Sequence, residues 1–417
     1  NSSGKVAVLR MGNLQDGEID YSDLVYSSDE ADIEKYYLLE NDLLFNRTNS
    51  AEWVGKTSIY RGDTPAIYAG YLIRIRTPLC GEYLNAVMNS SYAKNYCIRV
   101  KTDAVNQSNI NAQKLGIFLA PVAPIKEQHR IVTSFKRTFE FTQCIQSGKK
   151  ELSALIQSTK AKILDLAIRG KLVPQDPNDE PASVLLERIR AEKEELIKQG
   201  IIKRDKKESV IFRGEDNSYY EKIGTEVRCI NSEIPFDLPE TWCWCRLGTL
   251  FAHNTGKALN SADSAGIPMT YITTSNLYWD RFELDSLKEM LFADSEIDKC
   301  TVTKGDLLVC EGGDIGRSAI WMFEENIRIQ NHIHRLRPYI SLSGRFYYYV
   351  MYMWKQLGLI GGQGIGLQGF SSKALHNLIV PLPSIDEQER IVASVDKLFA
   401  TIANIEQRLS WGSFLQK

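Results

Sequence analysis

A twelve-residue segment occurs twice in this chain, and the repeat constrains the fold more than any other feature. The first copy reads Pro121-Val-Ala-Pro-Ile-Lys-Glu-Gln-His-Arg-Ile-Val132; the second, 260 positions later, reads Pro381-Leu-Pro-Ser-Ile-Asp-Glu-Gln-Glu-Arg-Ile-Val392. Seven of the twelve positions are identical. Both copies predict a strand end, a proline corner and a helix start, because acids in a first turn favour the positive end of the helix dipole. A repeat at this distance indicates a duplicated domain, since solenoid repeats recur every few tens of residues.

Shorter segments repeat in the same order and at nearly the same distance, so the duplication extends along most of the chain. The matched pairs are Val8–Leu14 with Tyr271–Leu277, Asn41–Phe45 with Gly305–Val309, Gly55–Tyr60 with Gly316–Trp321, and Ile73–Arg76 with His334–Arg337. The second copy begins near Ile234, ahead of its Tyr271 segment, whereas the first reaches the equivalent segment already at Val8. From this offset we expect about 30 further residues ahead of Asn1 in the natural protein.

Composition narrows the class of protein. A hydrophobic content of 43% and a charged content of 24% are typical of globular proteins, and 417 residues predict two or three domains. No apolar run approaches the ~18 residues of a membrane span. The eight cysteines show no metal-site spacing, so reduced thiols and a cytoplasmic location are expected. A net charge of −2 argues against a uniformly basic nucleic-acid binder but permits local basic faces.

Two long helices are predicted, one after each copy of the repeat. Apolar residues recur with heptad spacing from about Ile125 to Arg169, and Gly170 is suited to end that helix. Such a helix would be about 65 Å long. A second apolar stripe runs from Val392 to Leu409. We expect the two helices to pack antiparallel as a coiled coil; the alternative is that each packs only on its own domain.

Two further segments are assigned from local pattern. Between the copies, a helix is predicted from Glu180 to Gly200, followed by a solvated linker that continues to Gly224. Within the copies, Ala66–Arg76 is predicted to be a strand and Gly81–Tyr96 a helix. The aromatic run Arg345–Trp354 predicts a helix packed in the core.

Motifs for catalysis are weak. Gly364-Ile-Gly-Leu-Gln-Gly369 has dinucleotide-loop spacing but lacks a strand before it and a long helix after it. Gly55-Lys-Thr57 is better explained as a structural element common to both copies, because the equivalent segment, Gly316-Arg-Ser318, lacks the lysine. A zinc pair at His332 and His334 has no indicated third ligand. We therefore expect no catalytic residue and no metal in this chain.

Binding chemistry is concentrated in polar loops at matching places of the two copies. Side chains of Arg, Lys, Asn, Gln, Ser and Thr can read base edges, and glycine allows close approach of the backbone. The candidates of the first copy are Arg47, Thr48, Asn49, Lys56, Asn106, Gln107 and Asn109. Those of the second are Thr273, Thr274, Asn276, Gly312, Gly313, Arg317, Gln330, Asn331, Gln363, Gln368 and Phe370. Each loop alone is typical of an ordinary polar loop, and the equivalence across the duplication favours a binding role.

These features resemble the specificity subunits of type I restriction-modification systems over nearly the whole chain. The two proline corners and the helix end Ile163-Leu-Asp-Leu-Ala-Ile-Arg-Gly-Lys-Leu-Val173 are the most specific elements. Leu238–Gly248 and Gly364–Lys373 add support. The chain departs from the family pattern in the absent start of the first recognition domain and in a terminal helix that is shorter than the central one.

The resemblance implies an α+β fold: two duplicated mixed α/β target-recognition domains separated by a long antiparallel two-helix coiled coil. The implied segments are 1–122 for the first recognition domain, 123–172 for the central helix, 173–233 for a helix and linker, 234–383 for the second recognition domain and 384–417 for the C-terminal helix. In this family the subunit is a non-catalytic reader of a bipartite, asymmetric double-stranded DNA target. Its expected partners are two modification (methyltransferase) subunits and restriction subunits, with no membrane association.

The resemblance also implies where cofactors and partners bind. S-adenosylmethionine would belong to the modification subunit, ATP and Mg²⁺ to the restriction subunit, and none to this chain. The repeated corners would offer partner contacts at Glu127, Gln128, Arg130, Glu387, Gln388 and Arg390. Two alternatives remain at this point. The chain could be a coiled-coil adaptor that binds proteins without DNA, or an orphan methyltransferase, against which the absence of an Asn-Pro-Pro-Tyr motif argues.

Overall fold

The computed structural model describes residues 3–50, 52–104, 107–204, 208–259, 266–360 and 370–411. Two compact units divide the chain, Asn1–Gly148 and Lys149–Lys417. Both units mix helices with short strands, as predicted. Gln363, Gln368 and the Gly364–Gly369 motif lie outside the described residues, as does Asn106.

Unit 1 is built from small sheets and short helices. Its strands are β1 (Val6–Leu9), β2 (Leu14–Gln15), β3 (Glu18–Ile19), β4 (Val25–Ser27), β5 (Leu43–Asn46), β6 (Thr48–Asn49), β7 (Thr57–Ile59), β8 (Ala66–Tyr68), β9 (Leu72–Ile75), β10 (Thr102–Ala104) and β11 (Gln107–Asn109). Its helices are α1 (Glu30–Tyr36), α2 (Gly81–Asn89), α3 (Ser91–Val100), α4 (Ala112–Gly116) and the first part of α5 (Ile125–Ile168), with a 3-10 turn at Met11–Asn13. The strands form sheets in the orders β4-β1-β8, β7-β5-β9, β10-β11-β6 and β2-β3.

Unit 2 repeats this architecture and adds to it. Its strands are β12 (Ser209–Arg213), β13 (Tyr219–Ile223), β14 (Glu226–Cys229), β15 (Cys243–Arg246), β16 (Phe251–Thr255), β17 (Ile267–Ile272), β18 (Leu277–Tyr278), β19 (Arg281–Phe282), β20 (Lys288–Phe292), β21 (Thr301–Val302), β22 (Leu307–Cys310), β23 (Ser318–Ile320), β24 (Ile327–Ile329), β25 (Ile333–Pro338) and β26 (Ile379–Leu382). Its helices are α6 (Ala182–Lys198), α7 (Leu247–Leu250), α8 (Asp294–Cys300), α9 (Gly344–Gln356), α10 (Ser372–His376) and α11 (Ile385–Trp411), with a 3-10 turn at Asn231–Glu233. The sheet orders are β12-β13-β14, β15-β26, β16-β25-β22-β23, β20-β17-β24-β21 and β18-β19.

Strand pairing confirms the duplication. β1 pairs antiparallel with β4 and parallel with β8, and β17 pairs in the same way with β20 and β24. The antiparallel partners of β5 are β7 and β9, and those of β22 are β23 and β25. A buried aspartate accepts from an arginine in each copy, Asp42 from Arg76 and Asp306 from Arg337, both with a closest approach of 2.6 Å. The predicted fold class is therefore observed both in the strand pairing and in the buried aspartate–arginine pairs.

The central helix α5 is a single helix of 44 residues, as predicted from the heptad pattern. Gly170 ends it with φ +66°, where its N–H bonds to Ala167 O and the next N–H bonds to Leu166 O. Within unit 2, Lys160 Nζ lies 2.8 Å from Glu406 Oε2, and Leu164 lines the same groove as Phe399. From Lys160 to Leu164 along α5, the neighbouring residue on α11 moves back from Glu406 to Phe399. This part of α5 and α11 therefore pack antiparallel, as predicted.

Three local predictions need correction. Residues 209–229 were expected to be mostly linker but form three paired strands, because Glu221 is buried and binds Arg246. The strand expected over Ala66–Arg76 is two strands, β8 and β9, with a turn between them. The single helix expected over Gly81–Tyr96 is split because the side chain of Ser90 caps α3. In contrast, α9 packs in the core as predicted, with Tyr347 and Trp354 fully buried.

A buried glutamine anchors each long helix to its own domain. Gln128 Oε1 accepts the Cys80 N–H (2.9 Å) ahead of α2, and its Nε2 donates to Ala123 O (2.7 Å). Gln388 makes the same two bonds in unit 2, with the Ser343 N–H (3.0 Å) and with Pro383 O (3.1 Å). Each side chain thus satisfies one backbone donor and one acceptor that would otherwise be buried without partners.

We expect Gln388→Ala to destabilise unit 2 by about 2–4 kcal/mol, because it leaves a buried N–H and a buried C=O without hydrogen-bond partners. Denaturant unfolding followed by tryptophan fluorescence measures this, since six of the seven tryptophans lie in unit 2. The exposed neighbour Glu389→Ala is the control and should change stability by less than about 0.5 kcal/mol. Equal effects of the two substitutions would contradict the anchoring role of Gln388.

Candidate nucleic-acid interface

The same two loops meet in each copy. In unit 1, the N–H of Ile110 donates to Arg47 O (2.8 Å), joining the loop after β5 to the segment before α4. In unit 2, the N–H of Phe370 donates to Glu311 O (2.9 Å), joining the loop after β22 to the segment before α10. Ile110 and Phe370 are both buried, so each loop pair is anchored by an apolar residue. In unit 1 the two predicted loops therefore lie side by side, and in unit 2 the described end of the second loop, Phe370, lies against the first.

In unit 1, the loops form a small sheet that collects most of the predicted polar residues. β6 pairs antiparallel with β11, and Asn109 Nδ2 donates to Thr48 Oγ1 at 2.6 Å. Asn49 and Gln107 lie on the same two strands. Arg47 is half-buried, and its Nε has no hydrogen-bond partner among the described residues.

In both copies, equivalent cations lie against an aromatic ring. Lys56 Nζ lies 4.8 Å from the ring centre of Trp53 and donates to Gln15 Oε1 at 2.7 Å. The Arg317 guanidinium lies 5.0 Å from the ring centre of Tyr278 and donates to Thr274 O at 2.5 Å. Such contacts hold a cation in place while leaving donors free for a further ligand.

Sequence reasoning missed the aromatic partners and one cation. Arg281 lies 4.5 Å from the same Tyr278 ring that Arg317 contacts, so two guanidinium groups share one ring. The side chain of Trp53 is about half exposed, although tryptophan is a large apolar residue. The interleaving of basic and aromatic residues in Tyr278–Arg281 was a signal that could have found this cluster.

Glycines close the loops that carry the cations. The N–H groups of Gly55 and Gly316 donate to Asn46 O and Cys310 O, and the two residues have φ of +93° and +83°. A Cβ atom would lie 2.7 Å from the Cys97 sulfur at Gly55 and 2.5 Å from the Ile360 side chain at Gly316. Only glycine suits this conformation in that space. The interpretation of Gly55-Lys-Thr57 as a structural element of both copies is confirmed.

Several other predicted residues are engaged within their own turn. Asn276 is buried; its Oδ1 accepts the Thr273 N–H (2.9 Å) and its Nδ2 donates to Glu283 O (2.9 Å). Asn13 makes the equivalent bonds in unit 1, which marks a shared structural role. A base-reading role for Thr273, Thr274 and Asn276 stays a prediction. The remaining candidates of the second copy lie on half-exposed or exposed positions: Gly312, Gly313, Gln330 and Asn331.

The predicted partner residues fall into two groups. Glu127 and Arg130 are exposed, whereas Gln128 and Gln388 are the buried anchors described above. Glu387 is buried and accepts the Trp242 indole N–H at 2.7 Å. Arg390 donates twice to Asp179, at 3.0 and 2.6 Å. A partner-binding role for all six residues stays a prediction.

A histidine pair supports the second loop. His334 Nε2 lies 2.8 Å from Phe370 O, a carbonyl that can only accept, so His334 Nδ1 must accept from His253 Nε2 at 2.9 Å. Burial, and then the neighbouring His334, lower the pKa of His253 to about 4. Burial also lowers the pKa of His334. Both rings are therefore neutral near pH 7. Among the described residues, no group of three or more His, Cys, Asp or Glu side chains could hold a metal ion.

Comparison with known proteins finds similar proteins in one family. Residues 239–410 match the family model described as the type I restriction modification DNA specificity domain. A type I restriction enzyme EcoEI specificity subunit from Escherichia coli is 31% identical over 282 residues, which are 63% of this chain and 42% of that protein. Residues 239–410 thus match the DNA specificity domain of this family, and the chain is similar to type I specificity subunits over most of its length. The EcoAI specificity subunit from Escherichia coli is 23% identical over 341 residues, covering 78% of this chain and 53% of that protein.

The chain spans about half the length, or less, of the curated relatives it matches. Its fold is that of the HsdS subunit from Thermoanaerobacter tengcongensis, with a TM-score of 0.58 at 15% identity over 97% of this chain and 85% of that one. A solved chain from a study of type I R-M complex assembly and conformational transition has a TM-score of 0.56 at 16% identity, over 98% and 87%. Within the described ranges, none of the helices has the length and apolar character needed to cross a membrane.

The histidine pair predicts that the stability of this protein depends on pH. His253 stays neutral in the folded state down to about pH 4, whereas in the unfolded chain it takes a proton near its ordinary pKa of 6.5. Its contribution is thus present above pH 6.5 and lost as the pH falls towards 4, by up to about 3 kcal/mol. Urea unfolding of unit 2 at pH 7.5, 6 and 5 should show a shallower fall for His253→Asn. The exposed His332→Asn should keep the parent's pH dependence, and identical profiles for all three proteins would exclude His253 as the source.

Proposed function

We propose that this chain is a specificity subunit that reads a bipartite, asymmetric double-stranded DNA target, one half with each copy of the duplicated domain. The observation that carries the proposal is the repeated loop pair, where a cation lies on an aromatic ring in both copies. The cation–ring pair is Lys56 with Trp53 in the first copy and Arg317 with Tyr278 in the second. Arginine can bind guanine edges or phosphates through bidentate hydrogen bonds, whereas lysine acts as a point charge. Two readers with different side chains suit two different half-sites.

The proposed role is recognition and scaffolding, without catalysis in this chain. Two modification subunits would bind the specificity subunit, carry S-adenosylmethionine and methylate adenine N6 after the base leaves the stack. Restriction subunits would supply ATP- and Mg²⁺-dependent cleavage. The duplication supports this assembly, because two similar domains offer two similar surfaces to two copies of one partner. We place the complex in the cytoplasm, where its DNA substrate is accessible.

We expect Arg317→Ala to weaken binding of the target by about 1–3 kcal/mol if the guanidinium reads a base. Fluorescence anisotropy of the assembled methyltransferase on target and scrambled duplexes gives both affinities over a range of salt. Loss on the target alone indicates a base contact. An equal loss on all sequences, with a salt slope smaller by about 1, indicates a phosphate contact.

The matched control is Lys304→Ala, which removes an exposed cation that is paired with Glu324 in the same unit. It should leave both affinities within about twofold, as expected for a surface pair. If Arg317→Ala and Lys304→Ala both leave DNA binding unchanged, the loop after β22 is not part of the interface. If the parent complex shows no salt-dependent DNA affinity at all, the chain is a protein-binding adaptor instead.

A further inference from the structure

A polar cavity of about 280 Å³ lies within unit 2, at the junction of its helical and strand segments. Its lining comes from α6, from β12 and β13, from residues 246–249 and from α10 with the residue that follows it. The described lining includes none of the residues assigned above to the candidate nucleic-acid interface or to partner contacts. This junction cavity therefore has no role in the function proposed so far.

The most deeply buried charges of the junction cavity neutralise one another. Glu221 and Arg246 are 1% and 7% exposed, and the Nε and Nη2 of Arg246 each donate to a Glu221 oxygen at 2.8 Å. Arg228 Nη2 lies 2.6 Å from the same carboxylate, and Glu233 Oε2 lies 2.8 Å from the same guanidinium. The remaining nitrogen of Arg246 donates to Asn377 O at 2.8 Å. Two arginines and two glutamates leave this network without net charge, so it is a frame and not a source of attraction for an anion.

Three further basic side chains line the junction cavity. Arg190 and Lys193 come from one face of α6, and Lys373 comes from α10. Lys193 is 6% exposed, with its Nζ 5.5 Å from the ring centre of Tyr339. In the part of the chain that the structure describes, the side chains of Arg190 and Lys373 have neither a hydrogen-bond acceptor nor an ion-pair partner. Beyond the neutral network the described lining holds one acid, the exposed Glu208, so basic groups are in excess and an anion is favoured.

Neutral donors stand beside these cations. The Thr249 hydroxyl and the Asn377 side-chain amide line the same cavity, and neither has a hydrogen-bond partner among the described residues. A Cβ atom at Gly248 would lie 2.1 Å from the His376 ring, so α7 and α10 pack in direct contact and hold the two donors in place. Guanidinium, ammonium, hydroxyl and amide groups together are typical ligands of phosphate oxygens.

We propose that the junction cavity binds the phosphate monoester group of a small ligand. Arg190 and Lys373 would donate charged hydrogen bonds to this group, and Thr249 and Asn377 would donate neutral ones. The donors come from three separate segments, α6, α7 and the end of α10. Donors on several sides suit a tetrahedral group with three free oxygens, whereas a planar carboxylate is satisfied by a single arginine fork.

A phosphate of the DNA backbone is a poorer occupant on the same observations. The volume of the junction cavity lies near the lower end of the roughly 300–1,000 Å³ of small-ligand sites, and Lys193 in its lining is buried. A phosphodiester carries one charge and is attached to the duplex on two sides, which keeps it at the surface. A monoester is attached on one side and carries about two negative charges near pH 7, so it can enter and balance more of the excess positive charge.

Isothermal titration calorimetry of the full chain tests the proposal, at pH 7.5 and constant ionic strength. Inorganic phosphate and ribose 5-phosphate are the probes, and ribose is the matched compound without phosphate. We expect saturable binding of the probes and none of ribose. Arg190→Gln and Lys373→Gln should each weaken probe binding about tenfold or more, because each removes a charged hydrogen bond.

The matched control is Lys198→Gln, which removes an exposed cation of α6 that does not line the junction cavity. It should bind the probes within about twofold of the parent, as expected for a surface charge. Thr249→Val keeps the shape of the side chain and should also weaken binding, which provides a test that leaves every charge in place. No saturable binding of either probe to the parent, equal binding of ribose, or unchanged affinities in all three cavity variants overturns the proposal.

Competition with a non-specific DNA duplex distinguishes the two sources of phosphate. An excess of duplex should leave the affinity for ribose 5-phosphate unchanged. Displacement of the probe by duplex, with a loss of duplex affinity in Arg190→Gln, would assign the junction cavity to the DNA backbone and overturn the proposal. The calorimetry involves no target DNA, so this inference can fail without affecting the proposed function.

Discussion

The buried glutamine at the start of each long helix is the interaction on which the architecture rests. Gln128 and Gln388 each bind one backbone N–H and one backbone C=O of their own domain. One bond is made within the corner and the other joins the helix start to the distant segment ahead of α2 or α9, so together they fix where each helix leaves its domain. When both the oxygen and the nitrogen of a buried side-chain amide are hydrogen-bonded, one rotamer is selected, because any other rotamer leaves buried backbone groups unpaired. Apolar packing does not select a single arrangement in this way. This explains why the proline corner is the best preserved part of the repeat.

The two copies keep a common frame and differ in their loops. Asp42 with Arg76 and Asp306 with Arg337 hold equivalent strands, and Gly55 and Gly316 close equivalent loops. The rings and cations between them are not the same. The frame determines where the loops meet, and the loop side chains would determine what they bind. In the proposed function, this division lets one fold read two unrelated half-sites.

Much of the fold could be predicted from the sequence because the domain is duplicated and its sequence pattern occurs twice. The repeat located the corners, the heptad pattern located α5, and Gly170 located its end. The strands of 209–229 could not be predicted, because their cover depends on the distant Arg246 binding Glu221. Within the candidate site, the pattern selected residue types that bind DNA, but it could not separate the turn-forming Asn276 from exposed donors. The rings of Trp53 and Tyr278 were missed because aromatic residues at such spacing are more often core.

Methylation mapping in cells tests the central claim most directly. The protein is expressed with its genomic modification partner in a host that lacks both, and the methylated adenines are located by sequencing. The account predicts a split motif with methyladenine in both halves, separated by unread base pairs, that disappears when this chain is omitted. With the partner shown to be active, no new motif, or a continuous motif that does not depend on this chain, would contradict it.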